Sequence, residues 1–146
     1  IIEKSHYAHK SISSFNKNIN DVYKVLNNCD CQSLLASSDI LITDYSGAFF
    51  DYLILNRPII HFLYDYEDYK NNIRGLYFNK ENVVAGPVAN NLIEVQNAIK
   101  ECISKGDFYN SLRSEIKAKF MTFEMKTSNE KIFNFIRSKN FNISAD

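Results

Sequence analysis

A chain of 146 residues with 45% hydrophobic and 14% aromatic content is long enough for one domain with a real core, and it excludes general disorder. Lys+Arg and Asp+Glu both number 17, so the formal net charge is zero and nothing marks a strongly basic nucleic-acid binder. The odd count of three cysteines (Cys29, Cys31 and Cys102) argues against a disulfide framework, and no apolar run approaches the roughly 20 residues of a membrane span.

Ile1–Lys4 reads as the end of a strand, and the chain as a piece of a longer protein. The polar stretch His6–Asn20 reads as a loop, and Asp21–Leu26 is too short for periodicity to separate strand from helical turn. Cys29-x-Cys31 has no second Cys/His cluster to complete a tetrahedral metal site, so free thiols in a reducing compartment are expected. Asp30 is placed to cap a short helix over Cys31–Ala36. Asp39–Thr43 is a continuous apolar run, as in a strand buried on both faces. Asp44-Tyr45-Ser46-Gly47 interrupts it, and Ala48–Leu55 follows with Phe49, Phe50, Leu53 and Ile54 at helical spacing. Asn56-Arg57 ends that helix, and Pro58–Leu63 is again strand-like. The succession is a βαβ unit, which predicts an α/β fold: a Rossmann-like parallel sheet with helices on both faces.

Beyond it, Tyr64–Gly75 reads as a loop with a short helix, and Val83–Val88 as a short edge strand or turn. Leu92–Ile103 reads as an amphipathic helix with Leu92, Val95, Ile99 and Ile103 on one face, stopped by Gly106. Asp107–Phe120 and Lys126–Ser138 read as two further helices.

The sharpest chemical feature is Ile42–Gly47. A strand ends where a helix begins, so free backbone N–H groups meet the hydroxyls of Thr43 and Ser46, and Gly47 permits close approach. That suits an anion, phosphate above all, at the carboxyl end of a parallel sheet. An ordinary helix cap made by Ser46 or Asp44 fits the same residues equally well. Asp51, one turn into the helix among bulky neighbours, is either a solvated charge or a carboxylate that holds a loop or a ribose hydroxyl. His6 and His9 follow the first strand end and could act beside a phosphate, although lone histidines are more often surface residues. His61 reads as a packed histidine. Arg57, Lys70 and Arg74 could reach phosphates, and Tyr64, Tyr66, Tyr69 and Tyr77 could form either a stacking wall for a base or a structural cluster.

The stretch SSDILITDYSGAFFDYLILNRPIIHFLYD (Ser37–Asp65), then Arg74–Phe78 and Ala85-Gly86-Pro87, resembles the CDP-glycerol glycerophosphotransferase family, whose members polymerise glycerol or ribitol phosphate into teichoic acids and related capsules. Lys4-Ser5-His6 and Glu124–Ile136 match more loosely. Two departures are Tyr7, where the family has Pro after the histidine, and Gly47, where it often has a second Ser.

The resemblance implies a GT-B transferase whose C-terminal half is this chain, with residues 1–146 a single donor-nucleotide-binding domain. It places Thr43, Asp44, Ser46 and Gly47 at the donor diphosphate, Asp51 at the nucleotide, Arg74 at the donor or the cleft, and His6 at the phosphates as the catalytic residue. It implies a CDP-glycerol or CDP-ribitol donor, no metal or other cofactor, no nucleic acid, and a polymer acceptor bound by an N-terminal domain. The full-length protein is expected in the cytoplasm, peripheral at the inner face of the membrane, and the fragment alone is expected to be inactive. The competing readings are a GT-B glycosyltransferase or epimerase domain using UDP or another nucleotide, and a non-catalytic α/β interaction module.

Overall fold

The computed structural model describes residues 2–3, 24–25, 29–73, 75–121 and 127–139, which fall into two compact units, 1–38 and 39–146. In the first unit, β1 (Ile2–Glu3) runs parallel to β2 (Lys24–Val25), with Ile2 opposite Lys24, so the ambiguous 21–26 segment contains a strand. Helix α1 (Cys31–Ser37) begins at the expected cap: the Asp30 carboxylate accepts the Ser33 amide at 2.8 Å and the Ser33 hydroxyl at 2.8 Å. Those bonds stabilise the carboxylate and hold the Asp30 acid below its ordinary range. No disulfide joins Cys29, Cys31 or Cys102.

The second unit is built on a parallel sheet of order β3-β4-β5, formed by Leu41–Thr43, Ile59–Phe62 and Val88–Ala89. Thr43 pairs with His61, and His61 with Val88. Side chains alternate across β4 as the pleat requires. Ile60 joins Ala89 and, from α4 (Leu92–Ser104), Val95 and Ala98 on one face, with Ile40, Phe62 and Ile99 packed against them. His61 points to the other face, where Phe49 of α2 (Ala48–Tyr52) meets its ring edge-on at 5.4 Å. Helices therefore cover both faces of a parallel sheet, as the βαβ pattern predicts.

Three expectations shift. β3 is not buried on both faces, since Ile42 is 41% exposed, and among the described strands it is an edge of the three-stranded sheet. A continuous apolar run does not distinguish an edge from a centre. β4, with a neighbour on each side, holds the fully buried pair Ile59 and Ile60. The inward face of α4 is Val95, Ala98 and Ile99, while Leu92 and Ile103 are exposed. The third strand starts later than expected. A 3-10 turn occupies Lys80–Asn82, and the chain then draws close to β4, where His61 N–H donates to the Pro87 carbonyl at 2.9 Å and Leu63 N–H to that of Ala89 at 2.8 Å. Gly86 is required by that approach, since a Cβ there would stand 1.8 Å from the Ile59 carbonyl oxygen.

α2 continues as a 3-10 turn over Leu53–Leu55 and ends at Asn56, whose left-handed backbone (φ 52°) suits an Asn. Arg113, in α5 (Asn110–Phe120), holds that ending. It is 1% exposed and donates from Nε to Asn56 Oδ1 at 3.2 Å and from Nη2 to the Asn56 carbonyl at 3.1 Å. Its Nη1 reaches Asp107 Oδ1 at 2.8 Å, and Nη2 reaches Asp107 Oδ2, which closes a two-point ion pair. Helix α3 (Tyr66–Asp68) runs on as a π-helical segment, Tyr69–Ile73, and α6 (Ser128–Ser138) is the last described helix. No helix among the described residues is long and apolar enough to cross a membrane.

Candidate functional site

The turn Asp44–Gly47 leaves the carboxyl end of β3 and enters α2, the side of an open parallel sheet where ligands settle. Neither Ser46 nor Asp44 is the helix cap: that position falls to Gly47, which makes no side-chain cap bond, and the two polar side chains shape the turn before it instead. Asp44 Oδ1 accepts the Ser46 amide at 3.0 Å, and Ser46 Oγ accepts the Ala48 amide at 3.3 Å. The turn is thus shaped by its own side chains, and Asp44, Ser46 and Gly47 are all exposed. Gly47 has an ordinary right-handed backbone (φ −63°), and a Cβ added there would meet nothing within 4 Å. Conformation does not require this glycine, and the space beside it is open.

Thr43, half-buried at the last residue of β3, sits at the base of the turn. Asp51 is exposed on α2 and lines neither cavity described below. His6, His9 and Arg74 lie outside the described residues. Gly75 adopts φ +67°, so the tight backbone expected there is present, and its amide donates to the Tyr69 carbonyl at 3.2 Å. Of the other cations considered for phosphates, Arg57 bonds the buried Tyr52, and Lys70 lies 5.8 Å from the centre of the Tyr66 ring.

Two cavities meet the turn at Asp44 and Tyr45, while Thr43, Ser46 and Gly47 line neither. A cavity of about 210 Å³ is lined by Asp44, Tyr45, Phe49, Phe50, His61 and Leu63, with Tyr66 and the 76–84 segment opposite. Its lining is almost wholly apolar and aromatic. An open cleft next to it is bounded by Tyr45, Tyr69, Gly75, Leu76 and Tyr77. Of the four tyrosines singled out as a possible wall, Tyr69 and Tyr77 border the open cleft, Tyr66 and Tyr77 line the smaller cavity, and Tyr64 lines neither. Tyr69 stacks on Tyr45, Tyr66 carries Lys80 4.6 Å from its ring centre, Tyr64 leans on Phe62, and Tyr77 is fully exposed at the cleft.

His61 forms part of the floor of the smaller cavity. It is 3% exposed, and its Nε2 accepts the Ala85 amide at 3.0 Å, which leaves the proton on Nδ1. Burial lowers its pKa to about 4, so the ring is neutral at physiological pH. It is a packed histidine, as the sequence suggests. Tyr45 and Asp65 were not singled out by sequence, yet the Tyr45 hydroxyl donates to Asp65 Oδ1 at 2.8 Å. The available signal was Tyr45 itself, an aromatic in the middle of an exposed polar turn. Among the described residues no group of three His, Cys, Asp or Glu side chains is placed to hold a metal ion.

A parallel α/β sheet with helices on both faces, and an exposed turn at the carboxyl end of β3, is an arrangement of the Rossmann-like, GT-B-like kind. The chain belongs to the CDP-Glycerol:Poly(glycerophosphate) glycerophosphotransferase family, whose model matches residues 1–138. It is 36% identical over 115 residues to the teichoic acid poly(glycerol phosphate) polymerase of Bacillus subtilis (strain 168), a match covering 73% of this chain and 14% of that protein. It is 31% identical over 103 residues to the teichoic acid glycerol-phosphate transferase of Staphylococcus aureus (strain NCTC 8325 / PS 47), covering 70% of this chain and 26% of the relative. A solved structure of the wall teichoic acid polymerase TagF with CDPG matches with a TM-score of 0.75 and 25% identity over 94% of this chain and 34% of that one. The chain therefore spans a third or less of the length of the two relatives.

Proposed function

We propose that this chain is the donor-binding part of a glycerophosphotransferase that takes an alditol phosphate from CDP-glycerol, or CDP-ribitol, and adds it to a growing teichoic-acid-like polymer. The observation that carries the reading is the exposed Asp44–Gly47 turn at the carboxyl end of β3, beside an open cleft, in a chain of this family.

In this reading Thr43, Ser46 and Gly47 grip the donor diphosphate through hydroxyls and amides, and the open space at Gly47 receives a phosphate oxygen. Asp44 shapes the turn through the Ser46 amide rather than meeting the anion, because a carboxylate and a phosphate repel. A five-residue α2 has only a small dipole, so local N–H and O–H donors supply most of the attraction. Asp51 supports the nucleotide, Arg74 the donor or cleft, and His6 the phosphates.

The terminal hydroxyl of the acceptor attacks the β-phosphorus in line. A new bond joins that oxygen to phosphorus, the bond from phosphorus to the bridging oxygen breaks, and CMP leaves with that oxygen. The hydroxyl proton passes to a base on the acceptor side, and His6 with the turn amides stabilises charge on the leaving phosphate. Residues 1–146 form the donor half, while acceptor binding and attachment to the cytoplasmic face of the membrane belong to the full-length protein.

The test is titration of the full-length protein with CDP-glycerol, CDP-ribitol, CDP, CMP and UDP, followed by CMP release in the presence of acceptor. Preference for the CDP compounds supports the reading, and a UDP preference or no nucleotide binding overturns it. His6→Ala lowers turnover; if only His9→Ala does so, the catalytic motif belongs to His9.

A further inference from the structure

The turn that is proposed to hold the diphosphate is anchored at one residue, Tyr45. Its neighbours Asp44 and Ser46 make only local bonds, each to an amide two residues ahead. Tyr45 reaches a distant segment instead. Its hydroxyl donates to Asp65 Oδ1 at 2.8 Å, and its ring lies nearly parallel to that of Tyr69, with centroids 3.8 Å apart and planes 17° apart. Asp65 and Tyr69 are themselves linked, since the Tyr69 amide donates to the Asp65 carbonyl at 2.9 Å. Tyr69 opens the π-helical segment, and its carbonyl accepts the Gly75 amide. π-Helical turns are uncommon and often mark functional sites. One side chain thus joins the 44–47 turn to the 65–75 segment, and Tyr45 lines both cavities.

We propose that Tyr45 is the positioning residue of the donor turn: its bond to Asp65 and its stack on Tyr69 set the spacing between the 44–47 turn and the segment that begins at Asp65. The proposal rests on the donor-binding reading above and goes beyond it, assigning a role to a residue that the phosphate-binding set leaves out. Burial and the Asp65 carboxylate also push the Tyr45 phenol well above its ordinary pKa, so the hydroxyl remains a proton donor throughout the working pH range.

The experiment uses the full-length enzyme and measures donor kcat/KM, acceptor KM, Tm and amide hydrogen exchange of residues 46–48 in Tyr45→Phe, Asp65→Ala, Asp65→Asn and the Tyr45→Phe/Asp65→Ala double variant. Tyr45→Phe keeps the ring and its stack and removes only the hydroxyl. The expected result is a loss of about tenfold in donor kcat/KM for Tyr45→Phe and for Asp65→Ala, the size of one hydrogen bond of this kind. The double variant loses no more than either single one, because the hydroxyl acts only through Asp65. Asp65→Asn, which keeps an oxygen acceptor, recovers most of the loss. Acceptor KM and Tm stay near those of the parent, and the 46–48 amides exchange faster wherever the bond is cut.

Losses that multiply in the double variant would show that the hydroxyl meets the donor directly and would overturn positioning. Parent-like kinetics and exchange in Tyr45→Phe would overturn it as well. If the parent enzyme uses no CDP-alditol donor, the functional reading falls by itself, and amide exchange still decides whether Tyr45 holds the turn.

Discussion

The two ends of the β3-β4-β5 sheet are built on opposite principles. At the amino end of β4 the Asn56 turn is closed by Arg113, a buried guanidinium with partners on Asn56 and Asp107. At the carboxyl end of β3 the Asp44–Gly47 turn is open, held by short local bonds and one longer arm, with room beside Gly47. The first end spends its polar groups on itself and stabilises. The second leaves open space beside Gly47. In the donor-binding reading proposed above, stability and binding are thus separated along the strands.

The contrast predicts that the two ends fail differently. Arg113→Ala leaves the Asn56 turn and the solvent-reached Asp107 carboxylate without their partner and costs about 1–3 kcal/mol. Chemical denaturation should show that loss, with donor affinity of the remaining folded protein near that of the parent. Were Arg113→Ala to abolish donor binding in folded protein, the ends would not be independent.

Acid tests the middle of the sheet. The unfolded His61 imidazole titrates near its ordinary 6.5, whereas burial lowers the folded one to about 4. Between these values the unfolded chain binds more protons, so stability falls as pH drops from 6.5 to 4 and levels off below. The full loss is on the order of 3 kcal/mol. His61→Gln, which retains an oxygen acceptor for the Ala85 amide, should flatten the His61 part of that dependence in denaturant titrations run across the window. A parent and variant with parallel pH profiles would remove His61 as the cause.

At the open end, Ser46→Ala removes one acceptor of an exposed amide and should cost about 1 kcal/mol of stability or less. In the full-length enzyme it should lower donor kcat/KM about tenfold. Unchanged kinetics would take Ser46 out of the site. Gly47→Ser should be the smallest change of all, a few tenths of a kcal/mol in stability, because the backbone is already right-handed and the Cβ meets nothing. A large loss of stability there would mean the turn has less room than the geometry shows.

Local pattern decided much of this protein. The βαβ succession, the Asp30 cap, the left-handed Gly75 and the strand-to-helix position of Thr43, Asp44, Ser46 and Gly47 all depend on neighbours a few residues apart, and the residues carry that information directly. The family motifs were legible for the same reason, and Gly86-Pro87 makes the backbone approach to β4. Only the tertiary structure decided that β3 is an edge among the described strands, that α4 turns Val95 and Ala98 inward while Leu92 stays out, that Arg113 closes Asn56 from 57 residues away, and that Tyr45 finds Asp65 across 20. These are choices of partner at long range. A sequence fixes which side chains can bond, but packing of whole elements fixes which of them meet.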